Sequence, residues 1–502
     1  MKDLLSAEDT NDIQSWIYSG YPHLPKSTYA FLRIDDQIRA RQFLKGIPWQ
    51  ISSATKSRNR QAQSHQVLNV AFTAMGLLAL GIDDETVEKF PIEFQEGMNA
   101  PHRGAFLGDI SPGGKPDHTV RDYAASAVHL LFACHFISAS VRDSWISKFQ
   151  RDSSAGGLSL VGLELGELAD SGKEHFGFKD GISNPEIHGF KGAGSATGEF
   201  ILGYPNEQGC MPVSPLLSPE SDPHDLLPPA MCDNRNMRDL GRNGTYLVFR
   251  KLAQDVSAFW NFIADDCRRR LGRAEPADLV WLASKLVGRW PNGVSLVEAP
   301  HFDAYSEIMQ ERLKAGSLND FTYGQTDTSG HRCPFAAHVA RMNPRDRIQG
   351  LSESEALGTT ARHRLLRRGR RYGPELFDLK ILDTPESWNR LQQLFQSRPE
   401  AQDTTRSDRG LFFIAFCANI REQFEFVQRA WGNNPHFNSA KGSQDPLIGT
   451  NSSITPGRSG IPIPDRDGGI TTGLVPQAVS FRGGGYFFLP SIAAFRWICH
   501  GK

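Results

Sequence analysis

A strand followed by a helix, repeated twice in each of two matched halves, constrains this chain of 502 residues more than any other feature. Tyr29 to Ile34 is a short apolar run of strand composition, and Asp36 to Leu44 sets Ile38, Phe43 and Leu44 behind an acidic start, as a helix does. Val128 to Cys134 predicts a buried strand, followed by a helix with Val141, Trp145 and Phe149 on one face. The second half repeats the plan. Thr245 to Arg250 predicts a strand, and Asp255 to Arg270 predicts a helix through Val256, Phe259, Trp260, Phe262 and Ile263. Leu411 to Phe416 then predicts a strand, and Glu422 to Trp431 a helix with Phe424, Val427 and Trp431 at helical spacing. This order argues for the α+β class, as two domains of similar topology with helices layered on antiparallel sheets, and against a doubly wound parallel sheet. The tract from Gly203 to Arg242 is rich in Pro, Asn, Asp and Gly and reads as a long connection. It places a boundary near residue 235, between an N-terminal domain (1–235) and a C-terminal one (236–502). Ser452 to Gly473, with Pro456, Pro462 and Pro464, reads as a surface excursion.

Charge and cysteine usage narrow the function classes. With 55 basic and 56 acidic residues the net charge is −1, so no global field recruits nucleic acid or an anionic membrane, and neither is expected as a partner. The start, Met1-Lys2-Asp3-Leu4-Leu5, runs into polar and acidic residues without an apolar leader core, and no window nears eighteen unbroken apolar residues. This predicts a cytoplasmic protein. The seven cysteines are scattered, without a Cys-x-x-Cys pair, which argues against a disulfide framework or a zinc site.

Three constellations carry chemistry. Gly177-Phe178-Lys179-Asp180-Gly181, closed by Asn184-Pro185, presents one carboxylate between glycines on an irregular loop. Asp180 is there either a turn former, since Asp-Gly is an ordinary turn dipeptide, or a proton carrier pressed against a ligand. In Cys333-Pro334-Phe335-Ala336-Ala337-His338, small and apolar neighbours let His338 face a hydrophobic pocket as a metal or haem ligand, or sit as a hydrogen-bonded core histidine. Arg345, after Asn343-Pro344, is placed to pair with a planar anion such as a haem propionate. Ala361 to Pro374 holds six arginines in fourteen residues. It reads as a solvated face, as a polyanion patch, or, given Leu365-Leu366 before Arg367, as a strand end that turns one arginine inward while its neighbours stay wet.

Taken in order, these motifs resemble the signature set of the dye-decolourising peroxidases. Further similarity lies at Gly198 to Asn206, Val287 to Pro291, Gln444 to Gly449 and Gly483 to Phe488, so the likeness spans most of the chain. The resemblance implies a haem b peroxidase of two ferredoxin-like domains, with haem held mainly by the second, of the larger cytoplasmic type. It implies His338 as axial ligand, Asp180 and Arg367 on the open face of the iron as acid/base and charge stabiliser, and Arg345 on a propionate. Leu411 and Phe413, two apart on a strand, would wall the distal pocket; a strand shifted by one would turn Phe412 and Ile414 there instead. Asp445 would hydrogen-bond the far nitrogen of His338. The implied partners are hydrogen peroxide and organic reductants such as dyes and phenolics, with assembly into a homo-oligomer allowed. The residue before the Tyr372-Gly373 turn is Arg371 where the family often has Pro, a departure in the loop that aims Arg367. The rival readings are a haem carrier or sensor, which needs His338 but not Asp180 or Arg367, and a polyanion-binding module.

Overall fold

The computed structural model describes residues 5–55, 65–109, 128–190, 194–231, 236–316, 319–396, 408–439, 442–450, 460–464 and 469–500. The first half contributes β1 (Lys26–Ile34), α1 (Gln37–Lys45), β2 (Gln66–Phe72), β3 (Leu130–Phe136), α2 (Ala139–Ala155) and β4 (Leu158–Glu167). The second contributes β5 (Thr245–Gln254), α3 (Val256–Leu271), α4 (Pro276–Val287), α5 (His338–Met342), α6 (Glu353–Arg362), β6 (Leu366–Arg367), β7 (Arg370–Tyr372), β8 (Gly410–Cys417), β9 (Val479–Leu489) and α7 (Ile492–His500). Helix starts follow from capping: the Asp36, Ser138 and Asp255 side chains accept the amides of Arg39, Val141 and Ala258. None of the described helices is long and apolar enough to cross a membrane.

Both halves use the same antiparallel strand order, fourth-first-third-second: β4-β1-β3-β2 in the first and β9-β5-β8 with β6 and β7 in the second. β6 and β7 lie end to end along one edge of β8 and act as a single interrupted strand. The two sheets do not stand apart. Phe72 pairs with Phe488, and Glu167 with Arg371, so the edges meet and the strands close into a ring. Closure removes edges that would otherwise expose unpaired backbone groups.

A ring of strands buries two faces. Inside lie Tyr29, Phe31, Leu131, Leu247, Phe249, Phe412, Ile414, Phe416 and Phe487. The outer face of the first half packs through Leu32, Val70, Phe72, Leu130 and Phe132 against α1, α2 and α7. That is why β1, β3 and β8 read as continuous apolar runs and not as alternating ones.

Three expectations are corrected. The segment expected as an α-helix over Glu422 to Trp431 is π-helical, in two pieces at Arg421–Glu425 and Val427–Gly432. The described parts of the tract from Ser452 to Gly473 are not a surface excursion, since Ile461 and Ile463 are buried against the α3 and α4 core and the Gly473 amide donates to Asp266. The arginines around Arg367 do not stay wet. Arg370 is buried and donates to the carbonyls of Gly20 and Tyr21, Arg368 donates to those of Trp16, Ile17 and Tyr18, and Arg371 pairs with Glu375 at 2.8 Å. The boundary near 235 falls among residues 232–235, outside the described residues.

Candidate active site

A cavity of about 1300 Å³ lies against the outer face of the second-half strands. Its floor follows from register: Arg250, Leu252 and Gln254 alternate on β5, opposite Phe413, Leu411 and Val479 on the neighbouring strands. Leu411 and Phe413 line the cavity from the outer face of β8, while Phe412 and Ile414 are fully buried in the core inside the ring, Phe412 also reaching the cavity edge. Asp180, Arg367, His338 and Arg345 line the same cavity, although they are spread over nearly two hundred residues of chain. Asp445 stands behind His338.

His338 is the first residue of α5, and the buried Ala336 and Ala337 before it leave its ring the space to face the cavity. Its Nδ1 lies 2.9 Å from Asp445 Oδ2 and 3.1 Å from Oδ1. Oδ1 also accepts the amides of Leu447 and Ile448, both at 2.9 Å. Burial pushes the Asp445 carboxyl up, but the His338 charge and hydrogen bond, the Ile448 amide and Arg341 outweigh it and hold the group below the usual carboxylate range. An ionised carboxylate only accepts, so Nδ1 is the donor, and the tautomer this favours for a neutral ring is the one with its lone pair on Nε2. Arg341 braces this arrangement. It is fully buried and donates to the carbonyls of Trp431, Ser443 and Asn434, tying α5 to the segment that delivers Asp445. Asp445→Asn removes the charge and leaves the shape, so affinity for a group bound at Nε2 should fall by about 10- to 100-fold, measured by titration of the purified protein.

The Asp180 loop is set by glycine sterics. Gly177 has φ +101°, and a Cβ there would stand 2.1 Å from Leu382 Cδ1; Gly181 has φ +80°. The Asp180 amide donates to Gly172 O at 3.1 Å, and the Lys179 amide to Pro291 O at 3.1 Å. Gly177→Ala combines a left-handed backbone with that clash, and should cost about 1–3 kcal/mol in thermal or denaturant unfolding. The Asp180 side chain is half-exposed, with Oδ1 4.0 Å from Arg367 Nη2. Arg367 is aimed by β6, which pairs with β8 through Ala415, and by Asn184, whose Oδ1 accepts the Arg367 amide at 3.0 Å. The expected inward arginine thus shares the cavity with the loop carboxylate.

Arg345 has a left-handed backbone (φ +54°), and its guanidinium lies 4.0 Å over the Phe321 ring. Its Nη atoms donate to Phe321 O and Asn319 Oδ1, and its Nε is buried without a partner, as is Asn343 Oδ1. Arg289, which the sequence reading gave no role, also donates to Asn319 Oδ1, at 3.2 Å, and to Gly293 O. Burial pushes Arg289 down to about 10 and lowers Arg345 as well. A buried cation and a half-buried one, whose bonds go to neutral oxygens, make one end of the cavity a site for anions.

Comparison with known proteins bears on the fold that carries this cavity. Residues 12–156 match the family model described as the DyP dimeric alpha+beta barrel domain. Dye-decolorizing peroxidase AauDyP1 of Auricularia auricula-judae is 27% identical, with 97% of this chain and 86% of the relative covered. The multifunctional dye peroxidase DyP2 of Amycolatopsis is 28% identical, covering 93% and 91%. A solved ancestral D-type dye decolorizing peroxidase superposes with a TM-score of 0.74 at 27% identity, covering 97% of this chain and 98% of that one. Over nearly its whole length the chain is similar to dye-decolourising peroxidases. A further solved dye-decolorizing peroxidase, 25% identical with a TM-score of 0.73 and covering 98% and 99%, was obtained in complex with 2,6-dimethoxyphenol. Of the residues around the cavity, Arg289 and Arg341 escaped the sequence reading. Arg289 has a signal in hindsight, lying in Val287 to Pro291, whereas Arg341 looks like any helix arginine.

Proposed function

We propose that this chain is a haem b peroxidase that reduces hydrogen peroxide while oxidising organic donors, phenolics and dyes among them, by one-electron steps. The observation that carries the reading is the meeting, in one cavity, of an imidazole with a free Nε2 and a carboxylate–guanidinium pair 4.0 Å apart. The residues present fit haem. His338 would hold the iron, with Asp445 keeping its ring in the ligating tautomer. Arg345, with its unpartnered Nε, would take a propionate beside Arg289, and Leu411 and Phe413 would wall the distal side.

Haem, when bound, supplies the redox chemistry that cleaves the O–O bond. The protein supplies the proton path. Asp180 takes a proton from one oxygen of hydrogen peroxide and returns it to the other, so that water is the leaving group. Arg367 stabilises the negative charge that builds as the O–O bond lengthens. We infer further that the chain divides near residue 235, so that the N-terminal part brings Asp180 and the C-terminal part brings His338, Arg345, Arg367 and Asp445. The free cysteines at 134, 210, 267, 333, 417 and 499 support a cytoplasmic setting.

The test is turnover. Protein loaded with haem should oxidise 2,6-dimethoxyphenol only when peroxide is present, and should show a strong Soret band. Haem retention without peroxide-dependent turnover would instead favour a carrier or sensor.

A further inference from the structure

A second carboxyl group faces the same cavity and has no place in the reaction just described. Glu174 gathers three N–H donors: the Phe176 amide (2.8 Å to Oε2), the Phe178 amide (2.9 Å to Oε1) and the Gln254 side chain (2.6 Å to Oε2). Phe176 and Phe178 flank Gly177 at the root of the Asp180 loop, and Gln254 is the last residue of β5. The main chain closes the same turn, with the Glu174 amide donating to Phe178 O and the Gly177 amide to Glu174 O, both at 2.9 Å. The carboxylate is therefore a rivet between the loop and the barrel wall. Its surroundings suit an acceptor with two oxygens and little else.

We propose that Glu174 is the positioning residue of this site, pinning the loop to β5 and thereby setting Asp180 against Arg367. The proposal rests on the peroxidase reading of the cavity. Neighbouring charges leave Glu174 without a cation of its own: Lys173, the adjacent base, is held by Asp383 Oδ1 at 2.6 Å and by Leu379 O, and Asp180 adds like charge. Burial, helped by Asp180 and opposed by the three N–H bonds, pushes the Glu174 carboxyl up to about 6. The sign follows by linkage. The closed loop binds this proton more tightly than an opened, solvated one, so ionisation on raising pH through about 6 favours opening.

Two substitutions separate positioning from general damage. Glu174→Ala removes every acceptor, whereas Glu174→Gln keeps an uncharged acceptor of similar shape. With haem bound and the unfolding midpoint as a control for folding, Glu174→Ala should slow the reaction with peroxide and the association of cyanide by about a hundredfold. The later step, reduction by 2,6-dimethoxyphenol, should keep its wild-type rate. Glu174→Gln, whose one oxygen can still accept from the Phe176 amide and Gln254 but not also from the Phe178 amide, should recover part of the loss. Hydrogen exchange, corrected for intrinsic rates and measured with and without haem, should show peptide 174–181 deprotected in Glu174→Ala. In wild type its protection should fall as pH rises above 6, a step absent from Glu174→Gln. If Asp180→Asn slows peroxide and Glu174→Ala does not, the rivet is wrong and the peroxidase reading stands. If neither variant slows peroxide, the role given to Asp180 fails. Unchanged exchange at 174–181 in Glu174→Ala, or slowing of all steps alike, overturns the proposal in either case.

Discussion

Replacing His338 by alanine is expected to yield protein that does not hold haem, with the Soret band lost after gel filtration while the fold persists. Two effects add. The imidazole that Asp445 holds against the cavity is gone, and the partner left behind is costly. Asp445 is fully buried and holds its charge largely because the imidazole stands 2.9 Å away. Without that donor its carboxyl keeps the Leu447 and Ile448 amides but loses its strongest partner, at a cost of about 1–3 kcal/mol to the apoprotein. The carboxyl then rises from below the ordinary carboxylate range, so the variant should unfold at a higher pH on acidification than wild type does. The linkage has the usual sign for a depressed acid: its stabilising contribution is present at neutral pH and is lost as pH falls through the folded-state value. Haem binding adds a further difference, since a ligand at a hundred times its Kd raises stability by about 2.7 kcal/mol in wild type alone. An unchanged ferric spectrum in His338→Ala would show that another residue ligates.

Asp180→Asn should do the opposite, keeping haem and losing the reaction with peroxide. Asparagine fills the same volume between Gly177 and Gly181 and still stands opposite Arg367, so the cavity keeps its shape. It cannot accept a proton. General acid–base catalysis by a positioned side chain is worth about 10²- to 10⁴-fold, and a loss in that range is expected in the bimolecular rate with peroxide. Reduction by phenols does not use this proton path, so its rate should change little.

Much of this was readable before the structure, and the reasons are physical. β1, β3, β5 and β8 sit at the centres of their sheets and are buried on both faces, which leaves long apolar runs in the sequence. β4 and β9 left weaker traces. Gly162, Gly166, Glu164 and Glu167 interrupt the first, and Gly483-Gly484-Gly485 the second. Closure of the ring was invisible, because it rests on the single pairs Phe72–Phe488 and Glu167–Arg371, which no periodicity encodes. The segment from Arg421 to Gly432 misled because Phe424, Val427 and Trp431 have α-helical spacing, whereas its hydrogen bonds reach one residue further.

At the site, the Asp180 loop was legible through its glycines, whose need is steric and local. Arg368 and Arg370 were misread as wet because their acceptors are backbone carbonyls of residues 16–21, far away in sequence and anonymous in it. Glu174 went unnoticed for the same reason. Two of its three partners are main-chain amides, which any residue type supplies.

The account turns on Asp180 as the group that moves the peroxide proton. Stopped-flow absorbance of the haem-loaded wild type and of Asp180→Asn, mixed with hydrogen peroxide under pseudo-first-order conditions, tests it most directly. Slowing of the first spectral change in the variant by about a hundredfold or more, with an unaltered resting Soret band, is the predicted result. Equal rates in the two proteins would contradict it.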